Sequence, residues 1–302
     1  MPEEGVEFVD HSKILSYEEI EKVVRVGAKL GIKKIRLTGG EPMVRKNIEE
    51  LVRMLANIPN IEDISMTTNG IFLAEKAKIL KESGLTRVNI SLDSLNPQIF
   101  KLITRRGDLS KVLEAIDNSI QAGLSPIKIN TVLMKGLNEN EIEDFLRFVY
   151  DRPINLRFIE YMPIGHNDET WKSYYLPLTR VWEKIKELDL PIEETNITGN
   201  GPAKSFQIKG GLGSVGFIHP VSSHFCANCN RLRLTAEGYF KPCLYWEEEL
   251  FVRPHVDDEL ALENLYFRAL ALKPENHEME KLLLNEEQTH TPTTRRMSQI
   301  GG

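Results

Sequence analysis

The chain has 302 residues, 41% apolar and 27% charged, with a formal net charge of −6. This is the composition of a folded soluble protein of one large or two smaller domains, and the negative charge argues against a duplex nucleic-acid binder, which needs a basic face to displace counterions. No apolar run approaches the roughly 20 residues of a membrane span, and the opening Met1-Pro-Glu-Glu lacks the charge and apolar stretch of a signal peptide. The expectation is a soluble cytoplasmic protein, or one of the mitochondrial matrix in a eukaryote.

Ser16, with Glu19 three residues later, predicts a capping box. The helix it starts should bury Ile20, Val23, Val24 and Leu30 and end at Gly31. Strand-like runs follow at Lys34–Leu37, Ile64–Thr67, Arg87–Leu92, Ile127–Leu133 and Leu156–Tyr161. Helical patterns at Leu51–Leu55, Ala74–Leu80, Val112–Ile120 and Ile142–Val149 separate them. This alternation predicts a parallel sheet, either open or curled into a partial (β/α) barrel. Both arrangements place ligands at the C-terminal ends of the strands, where Thr38-Gly-Gly-Glu-Pro, Thr67-Thr-Asn-Gly, Ser91-Leu-Asp-Ser and Glu160-Tyr-Met-Pro fall.

After a helical stretch at Val181–Leu188 the pattern turns Gly-rich, with strands expected at Ser205–Lys209 and Ser214–His219. A second module is placed at 192–302, after a first at 1–191. Glu259–Leu272 reads as a helix, and Glu286–Gly302 as a flexible tail.

The three cysteines lie within eighteen positions, a poor basis for disulfides and a better one for a metal site. Cys226 and Cys229 form a Cys-x-x-Cys knuckle, and Cys243 returns after a hairpin turning near Glu237-Gly238. Three thiolates here could close a zinc site with His219 or His224, or hold a [4Fe-4S] cluster with one iron left open. Arg231 and Arg233 alternate with Leu232 and Leu234, so both guanidinium groups share one strand face, suited to phosphate oxygens or to surface carboxylates. Glu41 offers an acceptor for an ammonium group. Lys128 and Arg157 alternate with apolar residues and would face a barrel lumen if those residues meet the helices.

Taken together, Thr38-Gly-Gly-Glu-Pro-Met, Met66-Thr-Thr-Asn-Gly, Asn89-Ile-Ser-Leu-Asp-Ser-Leu, Lys128-Ile-Asn-Thr-Val-Leu-Met, Arg157-Phe-Ile-Glu-Tyr-Met and Phe225-Cys-Ala-Asn-Cys-Asn-Arg-Leu-Arg resemble the GTP 3′,8-cyclases. These are radical S-adenosylmethionine (SAM) enzymes of molybdenum cofactor biosynthesis. The resemblance runs from Met1 to Gly301-Gly302 and implies a partial (β/α)6 TIM-type barrel with a C-terminal iron-sulfur module. It implies a [4Fe-4S] cluster on Cys226, Cys229 and Cys243, with the open iron binding the guanine of GTP. By the same resemblance Gly40, Ser91 and Met162 would lie against SAM, with Glu41 and Arg157 nearby. Arg36, Thr67, Lys128, Arg231, Leu232 and Arg233 would hold GTP, and Gly301 and Gly302 would reach in beside it.

The activity implied is radical cyclisation of GTP to (8S)-3′,8-cyclo-7,8-dihydroguanosine 5′-triphosphate. The implied partners are an electron donor and the downstream cyclic pyranopterin monophosphate synthase, with room for a homodimer. The family also opens with a strand and a Cys-x3-Cys-x2-Cys loop for a second [4Fe-4S] cluster, which binds SAM and supplies the electron that cleaves it. Those cysteines would directly precede the Met-Pro-Glu-Glu-Gly that begins this chain, and none of them is among the 302 residues. A start assigned at an internal methionine or a truncated gene model is therefore expected, with an inactive chain whose first-strand neighbour has an open edge; the alternative is a genuine short form that binds GTP without turning it over. The competing readings are another radical SAM enzyme with an auxiliary cluster and a non-catalytic zinc- or GTP-binding module.

Overall fold

The computed structural model describes residues 10–165, 170–199, 201–223 and 225–301. His224 and Gly302, both named above, lie outside the described residues. Helix α1 (Tyr17–Lys29) starts at the expected capping box: the Glu19 N–H donates to Ser16 Oγ at 3.2 Å and the Ser16 N–H to Glu19 Oε2 at 2.6 Å. It ends through Leu30 and the left-handed Gly31 (φ 98°). Val23 and Val24 are buried as expected, but Leu30 is exposed and Val26 is buried instead. A later helix covers α1 from a second side, which the periodicity of α1 alone does not show.

The α/β repeat then runs through β1 (Lys34–Leu37), α2 (Ile48–Ala56), β2 (Asp63–Thr68), α3 (Leu73–Glu82) and β3 (Arg87–Ser91). It continues with α4 (Pro97–Thr104), α5 (Leu109–Gln121), β4 (Ile127–Leu133), α6 (Ile142–Tyr150) and β5 (Ile154–Glu160). Helix α4 has no counterpart in the sequence reading. It is short, starts on an Asn96 cap with Pro97 behind it, and buries only Phe100, so its periodic signal is weak.

The sheet order is β1-β2-β3-β4-β5-β8-β7-β6, with β1 to β5 and β8 parallel and β6 and β7 antiparallel. Here α7 (Thr170–Tyr174) and α8 (Thr179–Glu187) lead into β6 (Ile192–Thr195), β7 (Lys204–Ile208) and β8 (Ser214–Ile218). The division proposed at residue 192 thus falls within one continuous sheet, because Asn155 to Ile159 of β5 pair with Ser214 to Ile218 of β8.

Ile64 and Met66, Val88 and Ile90, Ile127 and Ile129, and Leu156 and Phe158 all join the core beneath the helices. The two-residue strand period then turns Arg87, Asn89, Lys128, Asn130, Asn155 and Arg157 to the opposite, concave face. The barrel interior is therefore polar and cationic.

Past this sheet, β9 (Arg233–Leu234), β10 (Tyr239–Lys241) and β11 (Leu250–Phe251) form a small antiparallel sheet. The β9–β10 turn is closed by the Gly238 N–H on the Thr235 carbonyl, with Gly238 at φ 88°. Helix α9 (Glu259–Ala271) packs Leu262, Leu265, Tyr266 and Ala269 against Val23 and Val26 of α1 and Phe240 of β10. After α10 (Met279–Leu283), residues expected to form a flexible tail return to the body of the protein. The Thr293 N–H bonds the Tyr245 carbonyl at 2.7 Å, and α11 (Met297–Ile300) buries Ile300 beside Trp246 and Val221. Composition had pointed to irregular chain because these tail contacts are made one residue at a time, without helical or strand period.

Candidate active site

The concave face gathers cations around very little negative charge. Lys128, only 1% exposed, donates from Nζ to the Thr198 carbonyl. Burial, followed by the charges of Arg157, Arg87 and Arg36, pushes its pKa down to about 6. Arg157, beside Asn130 on the sheet, is pushed down to about 9 by burial and then by Arg36 and Arg87. Arg87 pairs with Asp63 at 2.5 Å but leaves Nη1 buried without a hydrogen-bond partner. Asp63 is the carboxylate that acts on both Arg36 and Lys128. Four basic groups facing one carboxylate in a polar interior make a site that lacks an anion. Arg36 itself is exposed, because β1 is the edge strand of the described sheet.

The cation set continues into the cysteine region, since Arg231 acts on Arg36 and Arg36 on Arg233. The Arg231 guanidinium stacks 5.2 Å from the Phe225 ring centre and leaves its buried Nε without a partner. Leu232 turns its side chain into the α1–α9 core, so only its backbone is left to meet a ligand.

Cys226, Cys229 and Cys243 line one cleft together with Arg231, Arg233 and Met162. A 3-10 turn over Cys226–Asn228 brings the Cys229 N–H to the Cys226 carbonyl at 2.9 Å and forms the knuckle. The Cys243 sulfur accepts the Tyr245 N–H at 3.4 Å, and the backbone N–H groups of His277 and Arg231 stand beside Cys226 and Cys229. Among the described residues no three His, Cys, Asp or Glu side chains gather about a single point. His219 is drawn instead towards Glu160, 3.5 Å away, and stacks on Phe217. Glu160 is fully buried and accepts from the Val221 and Ser222 N–H groups at 2.9 Å, so it anchors the loop leading to Cys226.

The Gly39-Gly40-Glu41 loop closes the other side. Glu41, expected to present a free acceptor, accepts from the Met43 N–H (3.0 Å), the Thr68 hydroxyl (2.8 Å) and the Asn69 N–H (2.7 Å). It therefore ties the first strand-end loop to the second, leaving part of its acceptor capacity for a ligand. Thr67 accepts from Asn89 Nδ2 at 3.2 Å inside the barrel, and Ser91 stands half-buried at the end of β3.

Comparison with known proteins fits this geometry. Residues 4–149 match the Radical SAM superfamily and residues 154–279 match Molybdenum Cofactor Synthesis C. A Listeria monocytogenes protein named GTP 3′,8-cyclase is 56% identical over 100% of this chain and 91% of its own length. The chain belongs to the GTP 3′,8-cyclase family. A namesake from Petrotoga mobilis is 47% identical, again over 100% of this chain and 92% of its own. The fold also matches SuiB of Streptococcus suis, crystallised with S-adenosylmethionine, at TM-score 0.58 and 13% identity, over 89% of this chain and 60% of that one.

Membership makes the chain a radical SAM lyase of molybdenum cofactor biosynthesis with a partial TIM barrel. The radical SAM family uses SAM and a [4Fe-4S] cluster, and GTP is the substrate of the cyclases. No helix among the described residues is long and apolar enough to cross a membrane.

In this cyclase the tail reaches the mouth of the barrel. A Cβ on Gly301, at φ 72°, would lie 2.5 Å from Thr38 Cγ2 and 3.0 Å from the Gly39 nitrogen. Arg295 anchors the approach through Glu237 at 3.1 Å and Glu249 at 2.7 Å. A Gly301→Val change combines this clash with a left-handed backbone, a cost of about 1–3 kcal/mol for the backbone alone. Tryptic cleavage after Arg295 and Arg296 should therefore speed up roughly five- to 150-fold, while cleavage elsewhere stays unchanged. An unchanged rate at these two bonds would mean that the glycine does not seat the tail.

Two site features were missed in the sequence. Arg87 and Asp63 each open a strand, and Arg87-Val-Asn-Ile-Ser carries the same polar alternation as Lys128-Ile-Asn. That signal was available. Arg157, whose alternation with apolar residues points it into the lumen, stands there with Lys128, Arg87 and Arg36.

Proposed function

We propose that Cys226, Cys229 and Cys243 hold a [4Fe-4S] cluster facing the guanine of GTP, and that the concave cations take the triphosphate. The single observation that carries this reading is the buried cation set, under-compensated by Asp63 and continuous with a cleft lined by all three cysteines of the chain. The donor set suits such a cluster. Thiolates around one tetrahedral zinc lie about 3.8 Å apart, given a bond near 2.3 Å. Among the described residues no three His, Cys, Asp or Glu side chains gather as around one metal ion, whereas the three sulfurs line one cleft, and that of Cys243 accepts the Tyr245 N–H.

In this reading Lys128, Arg157, Arg231, Arg233 and Arg36 neutralise and orient the triphosphate, with Thr67 alongside. The unpaired Nη1 of Arg87 and Nε of Arg231 are ready donors. Gly40, Glu41, Ser91 and Met162 form the SAM side, where Gly40 lets a ligand approach the backbone. SAM, when bound beside a cluster, would supply the radical chemistry, and this chain's residues would hold the ribose in reach and exclude water. Gly301 closes the mouth beside Thr38 and Gly39. An electron donor and the downstream synthase complete the reading as partners.

The test is anaerobic reconstitution of the 302-residue chain. Iron and sulfide near four per chain, with absorption near ~400 nm, are expected, together with GTP binding. No 5′-deoxyadenosine is expected from these residues alone, because every cysteine among them is committed to this cleft. One zinc per chain without sulfide would overturn the proposal.

A further inference from the structure

We infer that Lys273 is a positioning residue for the cluster: it ties the segments carrying Cys229 and Cys243 together and sets a fixed positive charge beside them. The inference rests on the cluster reading above. Helix α9 ends at Ala271, and the Lys273 N–H closes on the Leu270 carbonyl at 3.2 Å. From there Nζ donates to the Arg231 carbonyl at 2.9 Å and to the Pro242 carbonyl at 3.1 Å. These carbonyls stand two residues after Cys229 and one before Cys243. The positive charge of Lys273 also acts on the Cys229 sulfur. An ammonium group has three donors, and two of them are taken by these carbonyls.

The segment continues in the same role. The Trp246 indole N–H bonds the Asn276 carbonyl at 2.8 Å, and the His277 N–H reaches Cys226. One short stretch after α9 therefore contacts all three cysteine-bearing segments. It is held in place by the packing of Leu265, Tyr266 and Ala269 on α1.

The chemistry of the contacts separates Lys273 from a plain staple. Both of its hydrogen-bond partners are neutral carbonyls, so they leave the ammonium charge uncancelled beside the sulfurs. A cation close to an iron-sulfur centre favours the more negative, reduced state, and cluster potentials follow local charge and hydrogen bonds. Arginine keeps the charge but changes the fork of donors, whereas methionine keeps most of the stem and loses both.

The experiment compares the reconstituted unsubstituted chain with Lys273→Met and Lys273→Arg, without GTP. Iron and sulfide are measured first, then the midpoint potential by titration followed by electron paramagnetic resonance. In Lys273→Met, roughly tenfold less cluster should be reduced at a fixed applied potential, a shift of about 59 mV to the negative side for a one-electron couple. Lys273→Arg should recover most of that shift. If the methionine variant loses its cluster or its fold, the arginine variant decides: a near-normal potential supports the role, and loss of the cluster or an equal negative shift overturns it. An intact cluster at unchanged potential in Lys273→Met also overturns it. Absence of any cluster from the unsubstituted chain is a different outcome and removes the cluster reading itself.

Discussion

Replacing Lys128 with methionine should weaken GTP binding by roughly 12- to 150-fold, the range of a charge-assisted hydrogen bond worth about 1.5–3 kcal/mol. The pH dependence makes this more specific than lost affinity. Burial and then Arg157, Arg87 and Arg36 bring Lys128 from an ordinary 10.5 to about 6. In the free protein at pH 7.5 its amine is therefore mostly neutral. A bound triphosphate favours the charged form, so binding must take up a proton. Affinity should then fall as pH rises from about 6 towards the higher pKa of the complex.

Calorimetry in buffers of different ionisation enthalpy reads that uptake directly, and the uptake should vanish in Lys128→Met. Absence of proton uptake by the unsubstituted chain at pH 7.5 would remove Lys128 from the phosphate site. Stability should move the other way. Between the folded value of about 6 and the ordinary 10.5 the unfolded chain binds more protons, so the apoprotein gains stability as pH rises through that window. Lys128→Met should flatten this slope and raise the melting temperature at pH 7.

Cys229→Ala should bring iron and sulfide down to background, because two remaining thiolates leave a cubane without a third anchor. The second consequence separates the two ends of the nucleotide. Lys128, Arg157, Arg87 and Arg233 lie outside the lost ligand set, so the variant should still bind triphosphates, with an affinity that falls steeply as salt is added. It should no longer distinguish GTP from ATP, since the group proposed to meet the base is gone, whereas the unsubstituted chain should prefer GTP. Full cluster content in Cys229→Ala would show that this cysteine is not a ligand. Undiminished preference for GTP in a cluster-free variant would place base recognition elsewhere.

Much of the barrel was legible because its strands alternate cleanly. Ile127–Leu133 and Lys34–Leu37 fall where the periodicity places them, and β2, β3 and β5 differ from expectation by a residue or two at their ends. The motifs at the strand ends were equally plain, since Gly-Gly-Glu-Pro and Cys-x-x-Cys-Asn-Arg-Leu-Arg are local patterns. Contacts between distant segments were not. Nothing near Leu30 signals that α9 covers the other side of α1, and nothing in the Thr-rich end signals that Arg295 pairs with Glu237 and Glu249. Glu41 likewise looks free in sequence, and becomes a brace only when Thr68 and Asn69 come beside it.

By itself the sequence determined the repeating α/β pattern, the capping box at Ser16 and the knuckle of Cys226 and Cys229. Each of these depends on residues within one turn or one strand, where backbone geometry links spacing directly to direction. Tertiary structure alone decided which strand follows β5 in the sheet, where the tail ends, and which cations share one desolvated space. Alternation alone points Lys128 to one face, and only the fold buries it and brings the charges of Arg157, Arg87 and Arg36 to bear on it, because charge interactions and desolvation act through space and depend on the finished fold.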